Sequence, residues 1–398
     1  MPIIHDIRVI HTAPAGANLT VVRVQTDQPG LYGWGCATFT QRYAAVGAAI
    51  EHHLKPLLLG RDAARIEDLW QLMVNNGYWR NGPVLNNAIA GIDIALWDIK
   101  AKQANLPLYQ LLGGKCREAA AVYRHADGRD LREIEDSARQ FMAQGVRYLR
   151  VQHGGYGGGR GDQRRPDGAA AGNYYDPRAY TRSALAALEH VRAVLGDELE
   201  ILHDIHERLS PAQAVDFAKD VAPLRLFFLE DPLAPEDLPW LENIRKVCST
   251  PLAMGELFNH PREWLPVITQ RHIDFMRMHI TQMGGLTPAR KVAAVGELHG
   301  VRTAWHGPGD VSPVGHALNV HLDVATPNFG IQEFSGFSET LRSVFPGCPE
   351  LRAGYLYPND KPGLGIEVNE TLAAKFPCND KVIEWTQTRL PDGSLHRP

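Results

Sequence analysis

The first third of the chain alternates hydrophobic and polar residues with the period of β-strands and then changes to the period of helices. The runs HDIRVIHT, NLTVVRVQT and LYGWGCAT, with a Gln28-Pro29-Gly30 turn between the second and third, are typical of an antiparallel meander. The stretches AAVGAAIEHHLKPLLL, RIEDLWQLMVNNGY and NNAIAGIDIALWDIKAKQA follow, and apolar residues at three- and four-residue steps indicate helices. We predict an α+β domain over residues 1–115.

Over residues 116–335, short apolar runs alternate with amphipathic stretches, which is typical of successive βα units around a parallel sheet. Helical patterns such as LREIEDSARQFMAQ and SPAQAVDFAKDV separate most of the runs, although the helix between the seventh and eighth is weakly marked. Eight parallel strands close a barrel that side chains fill, so we predict an α/β fold of the (β/α)₈ type. The predicted strands are AVYRHA, RYLRVQ, EILHDIH, LFFLEDP, PLAMGE, FMRMHI, VRTAWHG and FGIQEF.

Two segments depart from this pattern. Residues 154–173 are Gly-rich and polar, and they are too many for an ordinary βα connection. We predict a lid or loop over the barrel mouth there. From residue 336 to 398 the runs contain Pro and Gly, as in GYLYPNDKPGLGIEV, and we predict extended segments that return to the first domain.

Composition and charge narrow the class of protein. With 398 residues, 44% apolar and 22% charged, the chain has the average mixture of a globular protein. A formal charge of −4 offers no basic surplus for phosphates, so we expect no nucleic-acid partner. The five cysteines form no CxxC pair, and the N-terminus shows neither a signal peptide nor an apolar span. We therefore expect a cytoplasmic protein without a membrane segment.

Three predicted strands end in an acid, namely Asp204, Glu230 and Glu256, and each acid lies 26 residues after the previous one. That interval fits one βα unit, so the three carboxylates should occupy equivalent positions at the strand ends that form the active-site face of a barrel. Converging carboxylates repel one another unless they share a cation, and Mg²⁺ prefers such oxygen ligands. We predict a Mg²⁺ site, although acids at strand ends can also cap helices or pair with neighbouring bases.

Histidines recur at the same predicted strand ends, and imidazole transfers protons near neutral pH. Strand alternation places Asp204 and His206 on one side and His203 on the other, so we predict His206 as the catalyst and a structural role for His203. His306, at the end of the seventh run, is a second candidate for the acid. His125 ends the first run.

Other polar residues at the predicted mouth complete the candidate site. Asp310 and Glu333 follow the seventh run and end the eighth, where they could bind a polyol or orient His306, although Asp310 could also cap a helix. Arg150, in the second run, could bind a carboxylate or lower the pKa of a tyrosine. Tyr156, six residues later, is the nearest tyrosine.

The motifs together resemble the enolase superfamily, and within it the mannonate dehydratase subgroup. The segments that carry this resemblance are RIEDLWQ, AIAGIDIALWDIKAK, LPLYQLLGG, EILHDIHERLSP, RLFFLEDP, PLAMGELF, RTAWHGPGDVSPV and PNFGIQEF. The resemblance implies an α+β capping domain over a modified (β/α)₈ TIM barrel and abstraction of the proton α to a carboxylate. The β-hydroxyl then leaves as water, and the product is a 2-keto-3-deoxy sugar acid.

The resemblance also implies roles for individual residues. The Mg²⁺ ligands are Asp204, Glu230 and Glu256, while His206 is the general acid. Arg150 is the arginine of a Tyr/Arg base pair. The positions that match substrate contacts are His125, His306, Asp310 and Glu333.

The chain departs from the subgroup at three places. Asp162 stands where the family has its base tyrosine, which leaves Tyr156 as the nearest phenol; Thr40 replaces a substrate-contacting asparagine; and PDGSLHRP lacks a tryptophan. We therefore expect weak or absent activity on D-mannonate. A gluconate or galactonate dehydratase, an acid-sugar epimerase and a metal-binding homologue that senses a sugar acid remain alternatives. We expect a homo-oligomer whose partner is a small-molecule sugar acid.

Overall fold

The N-terminal alternation produces a three-stranded antiparallel sheet in the computed structural model, which describes residues 1–154 and 165–397. The predicted turn forms, because Leu31 N–H donates to Gln28 O at 3.1 Å. Gly30 has φ +78°, a value at which a side chain would be strained. The strands pair in the order β1 (Ile4–Thr12), β2 (Leu19–Thr26) and β3 (Tyr32–Cys36).

The helices that follow pack one long helix against this sheet. A Cβ on Gly35 of β3 would overlap the carbonyl group of Gly91, so the glycine lets helix and strand approach closely. A π-helical turn over Ile50–Leu54 joins the first two helices, and Thr40–Arg42 is a 3₁₀ turn. The helices are α1 (Tyr43–Ala49), α2 (Lys55–Leu58), α3 (Ile66–Asn75), α4 (Pro83–Gln103) and α5 (Leu108–Leu111).

The chain divides into two compact units, and each unit contains several separate stretches of sequence. Unit 1 comprises Met1–Ala121, Glu256–Leu265 and Met278–Asp380. Unit 2 comprises Val122–Gly255, Pro266–Arg277 and Lys381–Pro398. The predicted domain limits, 1–115, 116–335 and 336–398, differ from the limits of these two units and remain a prediction.

Unit 2 contains the first six strands that the apolar runs predict, and they pair in parallel in chain order. The strands are β4 (Ala120–Gly128, whose first two residues belong to unit 1), β5 (Tyr148–His153), β6 (Glu200–Asp204), β7 (Phe228–Glu230), β8 (Leu252–Met254) and β9 (Phe275–Met276). The helices are α6 (Leu131–Ala143), α7 (Pro177–Leu195), α8 (Pro211–Val221) and α9 (Leu241–Val247), with 3₁₀ turns at Ala222–Leu224 and Pro235–Trp240. Helix α10 (Pro261–Thr269) begins in unit 1 and ends in unit 2.

The last two predicted strands also form, and they belong to unit 1. They are β10 (Arg302–Thr303) and β11 (Gln332–Glu333), and Thr303 bridges in parallel to Phe329 just before β11. Helix α12 (Pro313–Ala325) lies between them in sequence, and all 13 of its residues are buried. A helix buried on every side carries no amphipathic period, which explains why the sequence marks it weakly.

The remaining elements of unit 1 are short. Strands β12 (Glu350–Arg352) and β13 (Tyr355–Tyr357) pair as a hairpin, and β13 pairs with the first two residues of β4. Glu367, further along, accepts hydrogen bonds from Tyr32 Oη at 2.9 Å and Trp34 Nε1 at 2.8 Å. The helices are α11 (Leu286–Leu298), α13 (Glu339–Val344) and α14 (Glu370–Ala373).

The last residues, from Lys381 onward, belong to unit 2. They include a 3₁₀ turn at Glu384–Gln387, and Arg389 bridges in parallel to Tyr174. Across the described parts of the chain, no helix combines the length and apolar character that crossing a bilayer requires.

Candidate active site

Two of the three predicted metal ligands are neighbours at the carboxyl ends of adjacent strands in unit 2. Asp204 ends β6 and Glu230 ends β7, and the two residues are register partners in the parallel ladder. Their side chains are almost completely buried, with exposed fractions of 1% and 0%. Two buried carboxylates this close are stable only if positive charge compensates them.

Arg150 supplies positive charge to Asp204. Its Nη1 lies 3.1 Å from Asp204 Oδ2, and its Nη2 lies 3.2 Å from Nδ1 of His125, its register partner on β4. A guanidinium group only donates hydrogen bonds, so His125 accepts at Nδ1 and, when neutral, carries its hydrogen on Nε2. The predicted site residues Arg150, His125 and Asp204 are therefore brought together.

Arg277 has the equivalent relation to Glu230, and the sequence reasoning did not single it out. Its Nε lies 2.8 Å from Glu230 Oε1 and 3.0 Å from Tyr123 Oη, which in turn donates to Glu230 Oε2 at 3.3 Å. The arginine side chain is fully buried. We call Arg150, Asp204, Glu230, Arg277 and Tyr123 the arginine cluster.

The loop after β6 carries His206 in an unusual backbone conformation. His206 and Glu207 have φ of +56° and +60°, a left-handed region that costs non-glycine residues about 1–3 kcal/mol each. Hydrogen bonds stabilise the turn, since His206 N–H donates to Asp204 Oδ1 at 2.7 Å and Glu207 N–H donates to Asp231 O at 2.9 Å. Because β6 ends at Asp204, strand alternation does not extend to His206, and the reasoning that placed it beside Asp204 was wrong in its physical basis.

His203 has the structural surroundings that the sequence predicts. It is buried, its Nδ1 lies 2.8 Å from the carbonyl oxygen of Val151, and its Nε2 lies 2.8 Å from Tyr180 Oη. A carbonyl only accepts, so Nδ1 carries the hydrogen and Nε2 accepts from the tyrosine. Burial lowers the pKa of His203 below its ordinary value, which favours this neutral form.

Asp231 is a further acid that the sequence reasoning passed over, although it follows Glu230 directly in FLEDP. One oxygen from each of these two residues could bind a single metal ion. Asp231 Oδ1 accepts from Gly255 N–H at 2.9 Å, and Glu256 is the next residue of the chain. The sequence signal for Asp231 is that it is the second of two adjacent acids. The prediction took only Glu230, because Glu230 has the 26-residue spacing.

In unit 1, one imidazole contacts three carboxylates. His306 Nδ1 lies 3.1 Å from Glu256 Oε2 and 3.6 Å from Glu333 Oε2, and His306 Nε2 lies 3.1 Å from Asp310 Oδ1. Gly307 N–H also donates to Glu333 Oε2 at 2.8 Å. We call Glu256, His306, Asp310 and Glu333 the histidine cluster. It contains the predicted third metal ligand, the second candidate acid and two predicted substrate contacts.

The charge of the histidine cluster depends on protonation. Burial raises the pKa of Asp310, but the positive charge of a protonated His306 and its hydrogen bond more than offset this and leave the pKa below its ordinary value. His279 stacks on His306, with 4.6 Å between ring centroids and 23° between planes. The stacking and the carboxylate contacts therefore fix the orientation of the imidazole.

Two further predicted residues, Tyr156 and Thr40, are not placed by the contacts described above. Tyr156, the candidate base, lies outside the described residues, as does Asp162. Thr40 lies in unit 1 after β3, where its hydroxyl donates to Gln41 Oε1 at 2.7 Å and its carbonyl accepts from Asn18. The hydrogen bonds of the described residues therefore connect Thr40 to Gln41 and Asn18 and not to the histidine cluster.

The comparisons with known proteins cover the whole chain. Residues 3–113 match the mandelate racemase / muconate lactonizing enzyme N-terminal domain, and residues 133–372 match the enolase C-terminal domain-like family. D-galactonate dehydratase family member RspA of Pantoea ananatis is 54% identical over 412 residues, with 99% of each chain covered. The chain belongs to the enolase superfamily.

Other relatives agree with this membership. A D-galactonate dehydratase family member from Salmonella enteritidis is 50% identical over 412 residues and covers 99% of this chain and 98% of its own. A crystal structure of an enolase from Pantoea ananatis, with bound D-gluconate and Mg, is 53% identical, covers 100% of both chains and has a TM-score of 0.98. The predicted fold class, an enolase superfamily barrel with an N-terminal capping domain, is thereby confirmed.

Proposed function

We propose that this enolase superfamily member is a Mg²⁺-dependent acid-sugar dehydratase, a hydro-lyase that removes water from an aldonic acid. One observation carries the proposal. Asp204 and Glu230 are partnered at the ends of β6 and β7, and each lies against a buried arginine. The crystal structure of the Pantoea ananatis relative contains D-gluconate and Mg, which supports a sugar acid and Mg²⁺ as the ligands proposed here.

The donor set fits a hard divalent cation. The acids at the ends of β6, β7 and β8 offer oxygen atoms, which Mg²⁺ prefers over nitrogen and sulfur ligands. We propose Asp204, Glu230 and Glu256 as the residues that hold it, with Asp231 next to Glu230 as an additional donor. A bound Mg²⁺ ion supplies Lewis acidity to the substrate carboxylate, which makes the neighbouring α-proton easier to remove.

His206 is the proposed general acid that protonates the leaving β-hydroxyl. The hydrogen bond from its backbone N–H to Asp204 fixes the position of the His206 backbone, so its side chain begins next to a proposed metal ligand. Such proton transfer contributes about 10²–10⁴-fold to the rate. His306 is the proposed substrate contact and second candidate acid, and His125, Asp310 and Glu333 are the other proposed contacts.

The proposed base is a tyrosine assisted by Arg150. A phenol with an ordinary pKa of about 10 needs a nearby cation to act as a base near neutral pH. Arg150 is a buried cation within β5, and Tyr156 is the nearest tyrosine that follows it in sequence. Asp162 occupies the position where the mannonate dehydratases have their phenol, so we propose that D-mannonate is dehydrated very slowly or not at all.

A panel of acid sugars tests the proposal. The Mg²⁺-loaded protein is incubated with D-gluconate, D-galactonate, D-mannonate and other aldonic and aldaric acids, and semicarbazide detects the 2-keto-3-deoxy product. We expect a product from at least one acid other than D-mannonate, and a large loss of that activity in Tyr156→Phe. No product from any acid would contradict the dehydratase proposal, and fast D-mannonate turnover that survives Tyr156→Phe would contradict the assignment of the base.

An epimerase that forms the same enolate is the second candidate. Epimerisation exchanges the α-proton with solvent without loss of a hydroxyl group, so proton NMR in D₂O distinguishes it from dehydration. A sensing homologue would bind a sugar acid without either reaction. The cytoplasmic location and the homo-oligomeric state remain predictions, which fractionation and light scattering would test.

A further inference from the structure

The C-terminal segment of unit 2 binds to the chain just before α7 through backbone hydrogen bonds. Arg389 N–H donates to Asn173 O at 2.9 Å, and Tyr175 N–H donates to Arg389 O at 2.7 Å. His396 N–H donates to Thr388 O at 2.9 Å, which folds the last residues back over the segment. These bonds define where the end of the chain lies within unit 2.

From this position, His396 reaches the loop that carries His206. Its Nε2 lies 3.1 Å from the carbonyl oxygen of Arg208, and its ring stacks on Tyr175 with 5.1 Å between centroids and 11° between planes. Because the carbonyl only accepts, Nε2 carries the hydrogen and donates. The stacked tyrosine fixes the plane of the ring, so the donor is held in the direction of the loop.

The loop is one that needs such support. His206 and Glu207 adopt left-handed backbone conformations, which persist only where the surroundings determine them. On one side, Ile205 N–H and Glu207 N–H donate to the carbonyls of Glu230 and Asp231 at 3.1 and 2.9 Å. At the other end of the loop, the carbonyl of Arg208 is bound by the C-terminal segment.

We propose that His396 is a positioning residue for His206, which it orients by binding the carbonyl of Arg208. The catalytic consequence rests on the proposed function, since it requires His206 to be the general acid. The effect on the order of the loop does not depend on the proposed function. His396 contacts the loop backbone at Arg208, two residues after His206, so its effect on the reaction acts through His206 alone.

Four variants of the full-length protein test the proposal. His396→Ala removes the donor, and His396→Gln replaces it with an amide N–H. Leu395→Ala is the matched control, because Leu395 is 65% exposed. His206→Asn/His396→Ala tests whether the two residues act together, as double-mutant cycles do. The readouts are amide hydrogen exchange of residues 205–209, Mg²⁺ affinity by calorimetry, and kcat and KM on whichever acid sugar is turned over.

We expect faster exchange at residues 205–209 in His396→Ala, with unchanged Mg²⁺ affinity and KM. The kcat should fall by about 10-fold, which is less than the 10²–10⁴-fold loss expected when a general acid is removed. His396→Gln should restore both exchange and kcat, and Leu395→Ala should match the wild type. In the His206→Asn background, His396→Ala should cause no further loss of kcat.

Unchanged exchange at residues 205–209 in His396→Ala would overturn the inference even if the wild type turned over no substrate. An additive loss of kcat in the double variant would also overturn it, because His396 would then act independently of His206. Absence of turnover in the wild type contradicts the dehydratase proposal alone, and the exchange experiment still decides the role of His396.

Discussion

The arginine cluster and the histidine cluster both gather carboxylates near strand ends, but they balance the negative charge in different ways. In the arginine cluster, Asp204 and Glu230 each have a guanidinium partner, and arginine stays charged at every accessible pH. In the histidine cluster, Glu256, Asp310 and Glu333 share one imidazole, a group that exists in a neutral and a protonated form. One set of charges is permanent and the other responds to protonation.

This difference indicates which cluster suits which task. Ligands of a metal ion need fixed orientation and constant ionisation, and the buried, arginine-paired carboxylates of Asp204 and Glu230 have both. Glu256, the third proposed ligand, contacts the imidazole instead. Proton transfer and binding of a polyol need a group that can gain or lose a proton, and the imidazole between three acids fits that need. The variants below test this division in order of expected effect.

The largest effect is expected for Glu230→Gln. The amide loses the charge that the proposed metal requires, so Mg²⁺ binding and turnover should both disappear. The change also leaves Arg277 as a buried cation without its carboxylate, which typically costs about 3–5 kcal/mol. Calorimetric titration with Mg²⁺ and thermal unfolding measure the two effects.

Glu242→Gln provides the matched control for Glu230→Gln. Glu242 is 62% exposed and pairs with Lys246 on α9, and exposed pairs contribute little to stability. Its Mg²⁺ affinity should equal that of the wild type. Wild-type Mg²⁺ affinity in Glu230→Gln itself would remove Glu230 from the proposed ligand set.

His206→Asn should have the next largest effect, confined to the rate. Asparagine tolerates the left-handed backbone at this position, so the loop should keep its conformation while the acid is lost. We expect kcat to fall by about 10²–10⁴-fold with substrate binding preserved. Steady-state kinetics on the best acid sugar measure this, and an unchanged kcat would transfer the acid role to His306.

His306→Asn should lower kcat/KM by about 10–100-fold, the worth of a hydrogen bond to a charged group of about 1.5–3 kcal/mol. Loss of the cation should also raise the pKa of Asp310. In the wild type that pKa is depressed. The stability that ionised Asp310 contributes is therefore present above the pKa of the unfolded state and is lost as pH falls through the pKa of the folded state.

The Tm difference between His306→Asn and the wild type should therefore shrink in acid, below the ordinary pKa range of an aspartate. The difference should be small at neutral pH, because the Asp310 side chain is 41% exposed and solvent screens the pair. Thermal unfolding between pH 3 and pH 7 measures it. A Tm difference that grows toward low pH would contradict the charge state inferred for this cluster.

Sequence patterns predicted the scaffold well because each strand is a short apolar run with its own boundaries. All eight predicted runs contain a strand, and the acids with equal spacing include the register partners Asp204 and Glu230. His203 was predicted as structural and has buried, fully bonded surroundings. These features depend on local period and spacing, which a single sequence displays.

Features that depend on distant partners or on backbone conformation escaped prediction. Arg277 occurs within the apolar run FMRMHI, and its carboxylate partner Glu230 is 47 positions earlier in sequence, so no pattern connects them. His206 has a left-handed backbone, whereas alternation assumes an extended one. The docking of the C-terminal segment in unit 2 rests on backbone bonds such as Arg389 to Asn173, which side-chain patterns do not encode.

Tyr123→Phe should have the smallest effect, and it sharpens the comparison because it removes one oxygen atom from the arginine cluster and no charge. The hydroxyl accepts from Arg277 and donates to Glu230, while the direct ion pair between those two residues, at 2.8 Å, remains. Loss of one neutral donor should cost about 0.5–1.5 kcal/mol of stability. Because the carboxylate loses one restraint on its orientation, Mg²⁺ affinity should fall by less than about 10-fold.

Tyr180→Phe is the control for this last variant, since Tyr180 is also buried and its hydroxyl contacts His203 and the backbone carbonyl of Asp204 but no carboxylate side chain. It should lose similar stability, because each change removes one buried hydroxyl group and its hydrogen bonds, with Mg²⁺ affinity unchanged. If both variants lowered Mg²⁺ affinity equally, the effect would reflect loosening of unit 2 as a whole. A fall in Tyr123→Phe alone would show that the fixed charges of the arginine cluster also need fixed directions.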